Sequence, residues 1–221
     1  MTLLIAPIVE GKTEVRCIER LLQRVWVEVL GQVERLQVVR PIWAKRDQVV
    51  RRQGTELADG VEQAARVVAA AAVRAGPDGR CLILLFIDAE SACPATLAPR
   101  LLGVARSARS DIDIDCVLPK QMLENWFVAS LVSLRAVGVV PPGLPPPADP
   151  EDCHGANWLD AQIRAGGRGL AYKKPADAMK FVPHLDLAAC HAGSRSFRKL
   201  CRVLAARIPP APPPNPDASG S

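Results

Sequence analysis

The chain has 221 residues, 49% of them hydrophobic and 23% charged, enough for one domain with a sufficient core and no need of disulfide staples. Lys and Arg exceed Asp and Glu by 28 to 23, and this net charge of +5 permits a polyanionic partner without requiring one. Aromatic residues at 4% argue against stacking platforms for single-stranded nucleic acid, and no apolar run reaches the ~18 residues that cross a bilayer.

Leu3 to Val9 is an apolar, β-branched run followed by Gly11, which predicts a buried strand. Thr13 is placed to cap a helix, with Glu14 in its first turn and Val15, Ile18, Leu21, Leu22, Val25 and Val29 at helical spacing before Gly31. Leu36 to Trp43 predicts a second strand. Thr55 opens a helix along Leu57, Val61, Ala64, Ala65, Val68 and Ala72 that stops at Gly76-Pro77-Asp78-Gly79. Cys81 to Ile87 is continuously apolar and ends in Asp88, the pattern of a strand buried on both faces. A helix over 95–109, a strand over Ile112–Leu118 and a helix from about Gln121 follow.

This alternation predicts an α/β fold with a mainly parallel sheet flanked by helices over residues 1–140. The run 141–150 holds six prolines and reads as a linker or loop. Residues 155–166 and 175–206 look helical, so 151–208 is expected to be a smaller, mostly helical extension packed on the sheet domain. The Pro-rich tail 209–221 is expected to be disordered. Met1-Thr2-Leu3-Leu4-Ile5 lacks the basic start and cleavage site of a signal peptide. Seven scattered cysteines without Cys-x-x-Cys read as reduced thiols, so a cytoplasmic location is expected.

In an open parallel sheet, functional groups gather beyond the carboxyl ends of the strands. Glu10 ends the first predicted strand; Asp88 ends the third, with Glu90 two residues on. If these strands are parallel neighbours, the three carboxylates converge and repel unless a cation neutralises them, and a hard ion such as Mg²⁺ (or Mn²⁺) suits oxygen ligands. Such an ion would bridge the protein to phosphate oxygens. The alternative is that these acids cap strand ends and face water.

Val9-Glu10-Gly11-Lys12-Thr13-Glu14 after one strand and Phe86-Ile87-Asp88-Ala89-Glu90 after another resemble a Toprim domain, the catalytic fold of topoisomerases, bacterial primases and overcoming-lysogenization-defect nucleases. More narrowly, the chain resembles a bacterial Toprim-like family, domain-of-unknown-function family 4276. Asp88-Ala89-Glu90-Ser91-Ala92-Cys93-Pro94, Glu124-Asn125-Trp126-Phe127-Val128-Ala129 and Ser196-Phe197-Arg198-Lys199-Leu200 extend the match over about residues 3–206. The resemblance implies a Toprim-like sheet, with Glu10 as general acid/base or metal ligand and Asp88 and Glu90 as Mg²⁺ ligands. It departs at Glu90, where the pattern usually has Asp. It further implies nuclease activity on DNA or RNA and a partner ATPase in an anti-phage system. A catalytically inactive subunit that docks on such an ATPase is the alternative.

Glu14 reads as an additional acid or as one that merely favours the helix dipole. Glu124 reads as a fourth ligand or as a favourable first-turn residue beside core Trp126 and Phe127. Gly11-Lys12-Thr13 imitates the end of a P-loop, but Ala6 stands where that motif needs Gly, and Glu10 would repel the phosphates. Cys153-His154 and Cys190-His191 have the residue types for zinc but not its spacing. Candidate phosphate contacts are Lys12, Lys45, Arg46, Arg51 and Arg52, and Lys173 and Lys174 in a second basic region with Lys180, Arg195, Arg198, Lys199 and Arg202. Residues 151–221 carry ten Lys+Arg against six Asp+Glu, so most of the net charge lies after the first proline run.

Overall fold

A computed structural model describes residues 2–34, 36–51, 54–167 and 170–210. Five strands form one parallel sheet: β1 (Thr2–Val9), β2 (Leu36–Val38), β3 (Ile42–Trp43), β4 (Gly79–Phe86) and β5 (Asp113–Val117). The order is β2-β1-β4-β5, with β3 also paired to β1. The fold class is therefore α/β, with helices on both sheet faces.

Both faces are buried because each strand alternates two apolar sets. Leu3, Ile5 and Val9 of β1 join Leu82, Leu84 and Phe86 of β4 in one core, whereas Leu4, Ala6 and Ile8 join Ile83, Leu85 and Ile87 in the other. The second core is closed by α2 (Arg46–Arg51), α3 (Thr55–Ala75) and α4 (Pro94–Ala108). The first is closed by α1 (Lys12–Arg24), α5 (Glu124–Ala129), α6 (Leu131–Ala136) and the C-terminal helices α7 (Gly155–Ala165), α8 (Lys174–Phe181), α9 (Leu187–Gly193) and α10 (Arg195–Ala205). Trp126 sits at its centre, edge-on to both Phe86 and Phe197, with its indole N–H donated to Ser196 Oγ at 2.9 Å.

Several elements differ from expectation for identifiable reasons. The single strand over 36–43 is two, because Pro41 has no N–H to continue the ladder; β2 pairs with Leu3–Ile5 and β3 with Ile8–Val9. α1 starts at Lys12, so Gly11 holds the cap position without a side-chain bond and Thr13 lies buried inside the first turn. A π-helical segment, Val25–Val29, continues α1. The long helix over 175–206 is broken at Pro183 and again at Ser194, whose hydroxyl accepts the Phe197 N–H to begin α10. Residues 141–149 hold no helix or strand. Of the tail 209–221, all but residues 209 and 210 lie outside the described residues.

Candidate functional site

β1 leads to β2 on one side of the sheet, and the chain then returns past β3 to place β4 on the other side of β1. The crevice of an open α/β sheet forms at such a switch point, beyond the carboxyl ends of the two strands. Val9 is registered against Phe86, so Glu10 and Asp88 leave the sheet side by side. One turn into α1, Glu14 folds its carboxylate back over Gly11; a Cβ there would lie 2.2 Å from Glu14 Oε2. Glu124 enters from the start of α5. Gly155 of α7 lets that turn approach, since a Cβ on it would stand 2.7 Å from Asn125 N and 2.8 Å from the Glu124 carbonyl carbon.

The acids so gathered are buried: Glu14 is 5% exposed, Asp88 6% and Glu124 1%. Burial pushes the Glu10 carboxyl from its ordinary 4.5 up to about 7; Glu14 and Glu90 push the same way, while Arg46 and the Asp88 backbone N–H oppose them. Asp88 is held well above the usual carboxylate range, first by burial and then by Glu14, Glu10 and Glu124, although its Oδ1 accepts the Leu123 N–H at 2.9 Å. Glu14 is raised chiefly by burial, with Glu124 adding to it. Glu10 Oε2 and Glu124 Oε2 are buried without a hydrogen-bond donor.

Two cations answer these carboxylates. Arg46, at the start of α2, spans the cluster: Nη1 lies 2.9 Å from Glu90 and Nε 4.0 Å from Glu10, while Nε and Nη2 donate to the Asp88 and Ala89 carbonyls at 3.0 and 2.9 Å. Lys174 reaches to 3.5 Å from Glu124 Oε1, which also accepts the Tyr172 hydroxyl at 3.3 Å. Among the described residues, no three His, Cys, Asp or Glu side chains are gathered closely enough to cage a metal ion as they stand.

Glu10, Glu14, Asp88 and Glu124 are thus brought together, and Glu90 is attached through Arg46 rather than by direct approach. Arg46 and Lys174, expected as phosphate contacts, are counter-ions inside the cluster. Lys12 and Lys173 are exposed, and the exposed Lys45 lies 5.7 Å over the Trp43 ring. The Arg51 side chain and all of Arg52 lie outside the described residues. Neither Cys-His pair resembles a zinc site: His154 Nδ1 accepts the Asn157 N–H at the start of α7, and the Cys190 thiol donates to the Trp126 carbonyl.

Two residues escaped the sequence reading. Tyr172, the chain's one tyrosine, signals itself only through the lysine pair that follows it. Trp43 stands half-exposed at the end of β3 and donates its indole N–H to the Glu10 carbonyl at 2.6 Å, so with Tyr172 two aromatics border the site despite the low aromatic content.

A parallel α/β scaffold with a buried acid cluster at its topological switch point is the class of protein these features define. The chain belongs to the family described as a domain of unknown function, DUF4276, whose model matches residues 9–205 and so includes all five acids. No curated protein and no solved structure matches it.

Proposed function

We propose that the protein is a Mg²⁺- or Mn²⁺-dependent phosphotransfer enzyme of the cytoplasm, a Toprim-type nuclease acting on DNA or RNA. The observation that carries this reading is the cluster of Glu10, Glu14, Asp88 and Glu124 with two buried carboxylate oxygens lacking a donor. Buried carboxylates that are only partly hydrogen-bonded repel each other and lose solvation, and a divalent cation relieves both.

The residues fit such an ion even though none of them forms a closed cage. Mg²⁺ usually keeps several waters and takes one or two carboxylates plus substrate phosphate. Asp88 with Glu10 would hold it, Glu90 joining if it turns from Arg46, and Glu124 and Glu14 would complete the negative field. Bound there, the ion would polarise the phosphate and stabilise charge developing on its oxygens. Where Asp88 and not Glu10 takes the ion, Glu10, raised to about 7 by burial, is matched instead to moving a proton at neutral pH, which is the demand on a general acid or base. As a metal ligand it would lose that rise. Arg46 and Lys174 are placed to meet phosphate oxygens when the carboxylates they now pair with engage a metal. The partner ATPase and the anti-phage role implied by the Toprim resemblance belong to the same proposal, and Ala6 in place of the P-loop glycine supports an ATPase supplied by another chain.

Single- and double-stranded DNA and RNA incubated with Mg²⁺ or Mn²⁺ should be cleaved by the parent protein, and at least about 100-fold more slowly by Glu10→Gln and Asp88→Asn variants of unchanged circular dichroism. Equal cleavage by Glu10→Gln would falsify the mechanism. One observation favours the second reading, an inactive subunit docked on an ATPase: the Arg46 guanidinium already pairs with Glu90 and lies 4.0 Å from Glu10, partly offsetting their charge. Calorimetry showing no Mg²⁺ or Mn²⁺ binding would select it.

A further inference from the structure

Glu90, but not Glu10, lines an open cavity of about 800 Å³, within the range that holds small organic ligands. Its floor is apolar, formed by Ala98, the buried Cys116 and the buried Leu118. Its rim carries Lys120, Arg195 and Lys199. We propose that this cavity binds one nucleotide, with the base against the apolar floor and the phosphate among Lys120, Arg195 and Lys199. This deepens the nuclease reading and rests on it only for the source of the nucleotide.

Three observations support the assignment. The three cations now pair with carboxylates: Lys120 with the exposed Asp152, Lys199 with the largely covered Asp115 at 3.3 Å, and Arg195 with Glu151 at 3.5 Å, a buried acid that also lines the cavity. The Lys120–Asp152 pair has an exposed carboxylate and contributes little, so exchanging it for a phosphate is inexpensive; the other two exchanges depend on what else holds Asp115 and Glu151. Asp115 also binds Arg207 at 2.8 Å, and Glu151 accepts hydrogen bonds from Ser194 and Ser196, so both acids keep partners when the cations turn away. The first residues of the 15-residue α4, Pro94 and Ala95, border the same space, and a helix start favours negative charge. Finally, the two non-glycine residues with left-handed backbone among those described, Glu90 (φ 49°) and Gln121 (φ 60°), both line this wall and are joined by the Glu90 N–H donated to the Gln121 carbonyl at 2.9 Å. Such strain concentrates at ligand clamps. It also ties Gln121, whose amide is a donor and acceptor able to read a base edge, to Glu90 in the cavity lining.

Cys93 provides the readout. It borders the cavity and is the exposed one of seven free cysteines, two others being half-buried and four buried. Iodoacetamide labelling of Cys93, followed by mass spectrometry in EDTA, is measured against adenosine monophosphate, uridine monophosphate, adenosine and inorganic phosphate at equal concentration. The nucleoside monophosphates should slow labelling at least five-fold, while adenosine and phosphate alone protect much less. Arg195→Ala with Lys199→Ala should weaken that protection about ten-fold, and Glu10→Gln should leave it intact. Protection strengthened ten-fold or more in a dinucleotide assigns the site to a nucleotide within a chain; equal protection assigns it to a free nucleotide. Either outcome sustains the cavity assignment even if no cleavage is ever seen. Cys93 labelling left unchanged by every nucleotide overturns the cavity assignment with or without cleavage; where oligonucleotides are cleaved and the double variant keeps the parent KM, the nuclease reading survives that loss.

Discussion

Neutralising Glu10 should stabilise the metal-free protein. Raising a carboxyl from 4.5 to about 7 costs about 3 kcal/mol of folding stability once the group is ionised, and the solvent that reaches its 15%-exposed side chain trims this to about 2–3 kcal/mol. The sign follows from proton binding: between pH 4.5 and 7 the folded state holds the proton more tightly than the unfolded one, so stability falls as pH rises through that window. Glu14, Asp88 and Glu90 add to the repulsion while Arg46 opposes it. Glu10→Gln removes the charge and keeps the shape. In EDTA at pH 8 it should melt about 4–12 °C above the parent, with the gap closing toward pH 5. Differential scanning calorimetry from pH 5 to 8 gives the answer. A variant that melts with or below the parent at pH 8 would refute the claim that this carboxylate is held against its own electrostatics.

Arg46→Gln removes the guanidinium between Glu10 and Glu90 and the donors to two carbonyls; stability in EDTA should drop by about 3 kcal/mol or more, and Mg²⁺ should restore more of it than it adds to the parent, as read by thermal melts with and without the ion. Gly155→Ala forces a methyl against the Glu124–Asn125 backbone and should cost about 1–3 kcal/mol, seen as a lower urea midpoint at unchanged slope; an unshifted midpoint would mean the α5–α7 contact yields freely. Gln121→Gly relieves a left-handed backbone and should gain about 1 kcal/mol, or 2–4 °C in Tm, while weakening nucleotide protection of Cys93; a lower Tm would show that the side chain holds the wall together.

The sheet was readable because parallel strands buried on both faces leave uninterrupted apolar runs, as Leu3–Val9 and Cys81–Ile87 do. The convergence of Glu10 with Asp88 was readable for the same reason: once two such runs are neighbours, residues just past their ends must meet. The break at Pro41 and the division of 175–206 depend on single residues inside patterns that otherwise continue. The role of Arg46 was hidden more deeply. Its position after β3 suggested a phosphate contact, but only the tertiary arrangement shows that β3 continues alongside β1 and aims α2 at the acids. Glu124 was ambiguous because a first-turn acid has a local explanation, and its burial depends on α7 and α8, far along the chain.

Acids that merely cap strand ends would lie in water, near their ordinary pKa and with every oxygen solvated. Here the departures from local preference accumulate in one place: buried repelling carboxylates, two oxygens without donors, and two non-glycine residues in left-handed backbone. Each is unfavourable alone, and a core closed on both sheet faces supplies the stability that offsets them. Arg46 relieves the repulsion only partly, since Glu10 stays raised with the guanidinium beside it. A residual negative field that Arg46 and Lys174 leave uncancelled is what a divalent ion would bind under the proposed function. Packing alone gives no reason for this buried, mutually repelling set of acids, which is what the proposed metal-dependent reaction would use.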